Sequence, residues 1–353
     1  MAFKKPTTHA AVPESPDRLF RDLPRRKHAS LFDHQGQVLR NYVANALDVP
    51  DVALQLPTGS GKTLVGLLLA EWRRRKFRER VVYLCPTRQL VHQVAEEASS
   101  KYGLTVEPFT GMVKHYSPEA KTAYQDGDRV AVTTYNSLFN TNPFFENPDI
   151  IIIDDAHAAE NYMASQWTLR VSRFDTDDDA LFKAMAGVLK SVLPEHNYTR
   201  LTGQWKGIDD VGWVDKIPSH LFAAITPELR ATIDANVQGT EHRYPWRMLA
   251  THLHACQLYV SSSEIMLRPL IPPTWSHGPF AGATQRIFMS ATLAPVGIWN
   301  GSPAGRRSSA YPFQKGGTAK ASGGATSCSQ KSRSTKRRRL NCGATSCARS
   351  DAA

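Results

Sequence analysis

The stretch LPTGSGKT, Leu56–Thr63, constrains this chain more than any other. It follows the short apolar run VALQL (Val52–Leu56) and opens the apolar segment LVGLLLA. Strand, glycine-rich turn and helix in that order build a phosphate cradle. Gly59 and Gly61 let the backbone turn and aim its N–H groups at phosphate oxygens. Pro57, Thr58 and Ser60 complete that turn. Lys62 is placed to reach the β and γ phosphates, and the Thr63 hydroxyl to ligate Mg2+. The strict pattern also asks for a glycine where Leu56 stands, so the match is to GSGKT in its strand–loop–helix setting.

Similar apolar runs recur downstream: VVYLC (Val81–Cys85), VAVTT (Val130–Thr134), IIII (Ile150–Ile153) and RIFM (Arg286–Met289). Helical segments such as Thr63–Trp72 and Arg88–Ser99 lie between them. Near-continuous apolar strands fit a parallel sheet covered on both faces. Their alternation with helices predicts an α/β fold with a doubly wound parallel sheet. Ligands in such sheets bind beyond the carboxyl ends of the strands. A phosphate site there needs an acid at the end of a neighbouring strand, and Asp154 follows the isoleucine run. Asp154 is expected to hold Mg2+, Asp155 to orient or deprotonate an attacking water, and His157 to link the nucleotide state to a neighbouring element.

A length of 353 residues fits two domains or one domain with a large insertion. Residues 1–30 read as a flexible leader rich in proline and charge. From Leu31 the spacing is helical, with Asp33 as N-cap. Residues 158–285 read as a mainly helical insertion between two strands of one sheet. Within it, Thr226 is expected to cap a helix with Pro227 at its first position, and PWRMLATHLHACQLYVSSSEIML to be helical. Residues 286–300 return to the sheet. Residues 301–353 read as a low-complexity, disordered basic tail in which GATSC occurs twice. The net charge of +11 belongs to this tail. Residues 306–353 hold 11 Lys/Arg and one Asp, which leaves 32 Lys/Arg and 31 Asp/Glu before them. The basic run Arg73–Arg80 is expected to form a solvated face. His252, His254 and Cys256 supply too few ligands on one helical face for a metal site. The five cysteines give no disulfide framework. No apolar run spans a bilayer and no secretion signal is present at residues 1–18, so the expected setting is cytoplasmic.

Taken together, these motifs resemble the first RecA-like (P-loop) domain of a superfamily 2 DEAD/DEAH-box helicase. PTGSGKT resembles motif I, PTRQLVHQ (Pro86–Gln93) motif Ia, and DDAH (Asp154–His157) motif II. SAT (Ser290, Ala291, Thr292) resembles motif III, and TTYNSL (Thr133–Leu138) the nucleic-acid-contacting motif before motif II. Gln35 falls where such proteins carry an adenine-contacting glutamine. The resemblance covers roughly Leu31 to Leu293 and implies ATP and Mg2+ as cofactors, with residues 31–157 and 286–300 forming the ATP-binding domain. It implies DNA or RNA as partner, contacted by Thr87, Arg88, Thr134 and Tyr135, with Thr110 and Gly111 as further backbone contacts. Ser290, Ala291 and Thr292 would couple hydrolysis to strand grip.

Two departures stand out. Asp155 replaces the family's usual glutamate, one methylene shorter. No QxxGRxGR-like element marks a second RecA-like domain, which points to a truncated or frameshifted product or to a second polypeptide that completes the motor. The long insertion resembles XPD-like and DinG-like layouts, but only Cys85 lies between motifs I and II, so their four-cysteine iron–sulfur cluster is excluded. The expected activity is ATP-dependent movement on DNA or RNA, weak in the isolated chain. The alternatives are an ATP-sensing nucleic-acid-binding subunit of a defence or restriction complex, or a nonfunctional fragment.

Overall fold

A computed structural model describes residues 12–205 and 207–291, with the backbone of 309–311. Helices α1 (Pro16–Asp22) and α2 (Asp33–Asn45) lead into an alternating series. It runs β1 (Asp51–Gln55), α3 (Lys62–Phe77), β2 (Val81–Cys85), α4 (Arg88–Glu97), β3 (Val106–Phe109) and α5 (Pro118–Gln125). Then come β4 (Val130–Thr134), α6 (Tyr135–Leu138), β5 (Ile150–Ile153) and α7 (Ala156–Gln166). The next stretch holds β6 (Leu169–Ser172), α8 (Asp179–Leu189), α9 (Glu195–Thr202), α10 (Ile208–Val211) and β7 (Val214–Lys216). It continues with α11 (Ser219–Asn236), α12 (Arg243–Leu249), β8 (Cys256–Ser261), β9 (Glu264–Pro269) and α13 (Gly278–Gly282). Strand β10 (Gln285–Ser290) and the short β11 (Ser309–Tyr311) complete the described elements.

The main sheet has the order β11-β1-β10-β5-β2-β4-β3, and every pairing is parallel. This is the doubly wound sheet that the alternation predicts. Strands β2 and β5 are buried along their whole length, which is why their sequences are unbroken apolar runs. Strand β3 sits at the sheet's edge and tolerates Pro108 there. Strand β10 lies between β1 and β5, with Gln55 opposite Ser290 and Ile153 opposite Phe288. Its first residue, Gln285, is buried and donates to the carbonyls of Ala46 (2.8 Å) and Val49 (2.6 Å) while accepting from the Tyr42 hydroxyl.

The insertion is mostly helical, and it also carries an antiparallel sheet of order β6-β9-β8-β7. Residues 256–269 are a hairpin rather than the end of a helix. Burial alternates along β9 and along β8 up to its last two residues, which are both buried; this is the period-two signal of a half-buried ribbon. Helix α11 starts at Ser219, not at Thr226, and runs through Pro227. Phe222, Ile225, Leu229 and Ile233 form a buried stripe at helical spacing that holds the segments on both sides of the proline. Thr226 does not cap; its hydroxyl donates to the Phe222 carbonyl at 2.8 Å. Cys256 is buried, and among the described residues no group of three or more His, Cys, Asp or Glu is arranged to hold a metal ion.

Two other expectations change. Residues 12–30 are not a loose leader. Pro16 opens α1, whose Leu19 and Phe20 are buried with Leu23 in the same core as α3. The Trp72 indole donates to the Pro13 carbonyl at 2.8 Å, and Arg40 pairs with Asp17 at 2.9 Å. Nor is Arg73–Arg80 simply a solvated face. Arg73 is buried and paired with Glu79 at 2.7 Å, Arg74 pairs with buried Glu71 at 2.8 Å, and Arg80 pairs with Asp149 at 3.0 Å. Each of these arginines is matched by a carboxylate rather than left to solvent. Of the basic tail, β11 pairs in parallel with β1, and residues 301–308 and 312–353 lie outside the described residues. Among the described residues no helix is long and apolar enough to cross a membrane.

Truncating Phe20 to alanine is expected to lower unfolding free energy by about 3 kcal/mol, the usual cost of emptying a buried phenyl site. Urea denaturation measures it; an unchanged midpoint would show that α1 does not belong to the core.

Candidate functional site

Strand β1 ends at Gln55, and the glycine turn follows. Gly59 (φ 78°) and Gly61 (φ 77°) both take the left-handed conformation that side-chain-bearing residues avoid. Ser60 N–H donates to the Pro57 carbonyl at 3.1 Å and closes the turn. A Cβ on Gly61 would lie 2.3 Å from Gln35 Nε2, so a larger residue would displace the amide that braces the turn and would also strain its left-handed backbone. Lys62 and Thr63 are the first two residues of α3, where free backbone N–H groups and the positive end of the helix face the turn. This is an anion cradle built from the main chain.

Gln35 is buried and braces the cradle from α2. Its Nε2 donates to the Ser60 carbonyl at 2.8 Å, and its Oε1 accepts from Phe32 N–H at 3.0 Å. Helix α2 begins at Asp33 with Phe32 as its cap, one residue before the cap that the spacing predicts.

Two strands away, β5 delivers Asp154. Its N–H donates to the Leu84 carbonyl at 3.1 Å, and Tyr83 Oη donates to its Oδ2 at 2.9 Å. Burial pushes the carboxyl above the usual range for an aspartate; the Tyr83 hydroxyl and the Lys62 ammonium pull against that shift. Lys62 and Asp154 therefore share one electrostatic site. Asp155 has a left-handed backbone (φ 52°), tolerated by aspartate, and turns the chain into α7. Asp155 and His157 are exposed beside it. Hard oxygen donors, the Asp154 carboxylate and the Thr63 hydroxyl, suit Mg2+, which takes few protein ligands and fills its shell with water and phosphate.

Motif III residue Ser290 is buried at the end of β10, and its carbonyl accepts from Leu56 N–H at 2.9 Å. Gln55 Nε2 donates to the Ala291 carbonyl at 3.3 Å. Thr292 lies outside the described residues.

At the same edge of the sheet lies a cleft of about 370 Å3. Pro86, Thr87 and Arg88 from the β2–α4 junction line it with Thr134, Asn136 and Ser137 from α6 and its cap. Gly111 and Tyr162 close it. Thr87 also caps α4, accepting from Leu90 N–H at 3.2 Å, so capping and cleft lining coexist. Thr110 lies within 3.4 Å of His92 instead. Tyr135 is not a cleft residue: it is buried, and its hydroxyl donates to the Asp154 carbonyl at 2.6 Å. Tyr83 belongs to none of the motifs; its only signal in the sequence is that a phenol in a fully buried strand must find a partner.

A glycine turn at a helix N-terminus and an acid two strands away are the arrangement of a P-loop domain. Residues 34–186 match the family model of the DEAD/DEAH box helicase, and this segment is a DEAD/DEAH box helicase domain of RecA-like fold. Such domains are of the ATPase type. No curated protein matches the chain. Among solved structures it is similar to S. tokodaii Xpd4, at 16% identity and TM-score 0.44, covering 79% of this chain and 60% of that one. An XPD helicase matches at 15% identity and TM-score 0.40, covering 76% and 59%. The UvsW helicase from bacteriophage T4 matches at 19% identity and TM-score 0.34, covering 42% and 53%. The chain thus spans about 60% of the length of the first of these structures.

Because burial raises the Asp154 carboxyl above its unfolded value, its protonated form favours the folded state. That contribution is complete below about pH 4, the unfolded value, and is lost as pH rises through the folded one. Asp154→Asn is therefore expected to be more stable than the parent at neutral pH, with the gap closing in acid. Thermal melts across pH read the difference; a constant gap would contradict it.

Proposed function

We propose that this chain is the first motor domain of an ATP-dependent nucleic-acid helicase or translocase. The observation that carries the reading is the convergence of the Gly59–Thr63 cradle, the Asp154 carboxylate and the Thr87–Arg88–Thr134 cleft on the carboxyl edge of one sheet. Lys62 and the backbone N–H groups of the turn hold the phosphates of ATP. Thr63 and Asp154 would hold Mg2+, which would supply neutralising charge beside the phosphates. Asp155 orients the attacking water, and His157 senses its state. Gln35 serves the adenine side from beneath the turn that it braces. Ser290 and Ala291, bonded to the start of the turn, pass changes there into β10.

Thr87, Arg88, Thr134 and the Gly111 backbone contact a DNA or RNA strand. Hydroxyls, a guanidinium and a helix N-terminus are the groups that position phosphates. A second RecA-like domain, on this or another polypeptide, supplies the arginine finger, so the chain by itself turns ATP over slowly. The setting we propose is cytoplasmic.

The test is ATPase activity with and without single-stranded oligonucleotide. Stimulation that vanishes in Lys62→Ala supports the motor. Nucleotide binding without any turnover supports a sensor subunit, and binding of neither ligand sinks the reading. Arg88→Ala is expected to weaken oligonucleotide binding across all sequences and to reduce the salt slope by about 1, the signature of one lost phosphate contact.

A further inference from the structure

Two buried tyrosines grip Asp154 from different sides. Tyr83, in the middle of β2, donates to the carboxylate at 2.9 Å. Tyr135, the first residue of α6, donates to the backbone carbonyl of the same residue at 2.6 Å. Both rings are fully buried, so packing fixes where each hydroxyl lies. The two contacts differ in kind. Tyr83 touches the carboxylate itself, the group that the functional reading assigns to Mg2+. Tyr135 touches the main chain at the strand-to-helix turn, next to Asp155 with its left-handed backbone. A shift of Tyr135 therefore moves the peptide that carries both acids.

The outer face of Tyr135 is in contact as well. Its ring stacks on Tyr162 of α7 at 12°, with centroids 5.7 Å apart. Tyr162 lines the cleft together with Thr87, Arg88 and Thr134. A continuous path of contacts thus runs from the cleft through Tyr162 and Tyr135 to Asp154. It does not pass through β10 or motif III.

We propose that Tyr135 is the positioning residue through which a nucleic-acid strand in the cleft sets the Asp154–Asp155 turn. The proposal rests on the functional reading above, in which the cleft takes a strand and Asp154 holds Mg2+. A strand seated against Tyr162 fixes the ring stack, the stack fixes the phenol, and the phenol fixes the Asp154 carbonyl. Linkage is reciprocal, so MgATP must tighten the strand by the factor with which the strand tightens MgATP.

The experiment titrates a fluorescent ATP analogue with Mg2+ into the full chain, with and without oligo-dT or oligo-U. Oligonucleotide affinity is also measured alone, without nucleotide or metal. In the parent chain each ligand is expected to tighten the other by about fivefold or more, within the usual range of allosteric coupling. Tyr135→Phe keeps the ring and its stack but loses the hydrogen bond. It should bind the oligonucleotide alone with unchanged affinity and lose the mutual tightening. Tyr83→Phe should weaken Mg2+-dependent nucleotide binding equally with and without the strand, leaving the coupling factor intact. A Tyr135→Phe chain that keeps the parental factor overturns the proposal, and so does a parent that binds both ligands independently. A parent that binds neither overturns the functional reading beneath it.

Discussion

The wedging of β10 between β1 and β5 is the constraint on which the site depends. Without β10, the glycine turn after β1 and the acid after β5 would have no fixed separation. With it, the register is pinned at both ends of the strand. Gln285 ties its start to the end of α2 and the following loop, and the Ser290 carbonyl ties its end to Leu56. Arg286 adds a pair with Asp51 at 2.5 Å. Strands in such a sheet lie about 4.8 Å apart, so β1 and β5 run about 10 Å apart with β10 between them, and the turn and the carboxylate open on the same edge.

Electrostatics follow from this placement. Asp154 is half-buried because β5 is a central strand, and that burial raises its carboxyl. The opposing influences come from groups that the same sheet delivers: the Tyr83 hydroxyl from β2 and the Lys62 ammonium from the end of the turn. A carboxylate held in so costly a position is a stability sacrifice of the kind found at functional sites. The arginines at the end of α3 and just after it show the contrasting case. Arg73 and Arg80 pair with Glu79 and Asp149, and Arg74 shares Glu71 with Arg75, so each of these charges has a carboxylate partner at hand.

Much of this was legible in the sequence, for identifiable reasons. The isoleucines of β5 and the VVYLC of β2 announce buried parallel strands because both of their faces are covered. GSGKT announces its turn because two left-handed positions demand glycine. The β8–β9 hairpin was harder to read. CQLYVS and EIMLRP alternate, but they adjoin a helical segment rich in apolar residues, and no glycine or proline between Leu249 and Cys256 marks where the period changes. Helix α1 is not legible in the sequence because its apolar face is only Leu19 and Phe20 in a setting rich in proline and charge; tertiary contact with α3 decides it. Tyr135 sits in a motif read as strand-contacting, yet which way a ring faces at a strand-to-helix junction is set by packing that no spacing rule encodes.

The late arrival of β10 also governs how the chain is made. Asp51 and Arg286 pair across 235 residues. As the polypeptide emerges from the ribosome, β1 and β5 are complete while the strand that joins them is unmade. Both expose bare hydrogen-bonding edges until the whole insertion has been synthesised. Non-local closure of this kind is slow, and open strand edges invite association between nascent chains. An insertion that folds early on its own hairpin and helices would shorten that interval by bringing its two ends, α7 and β10, back to the same sheet.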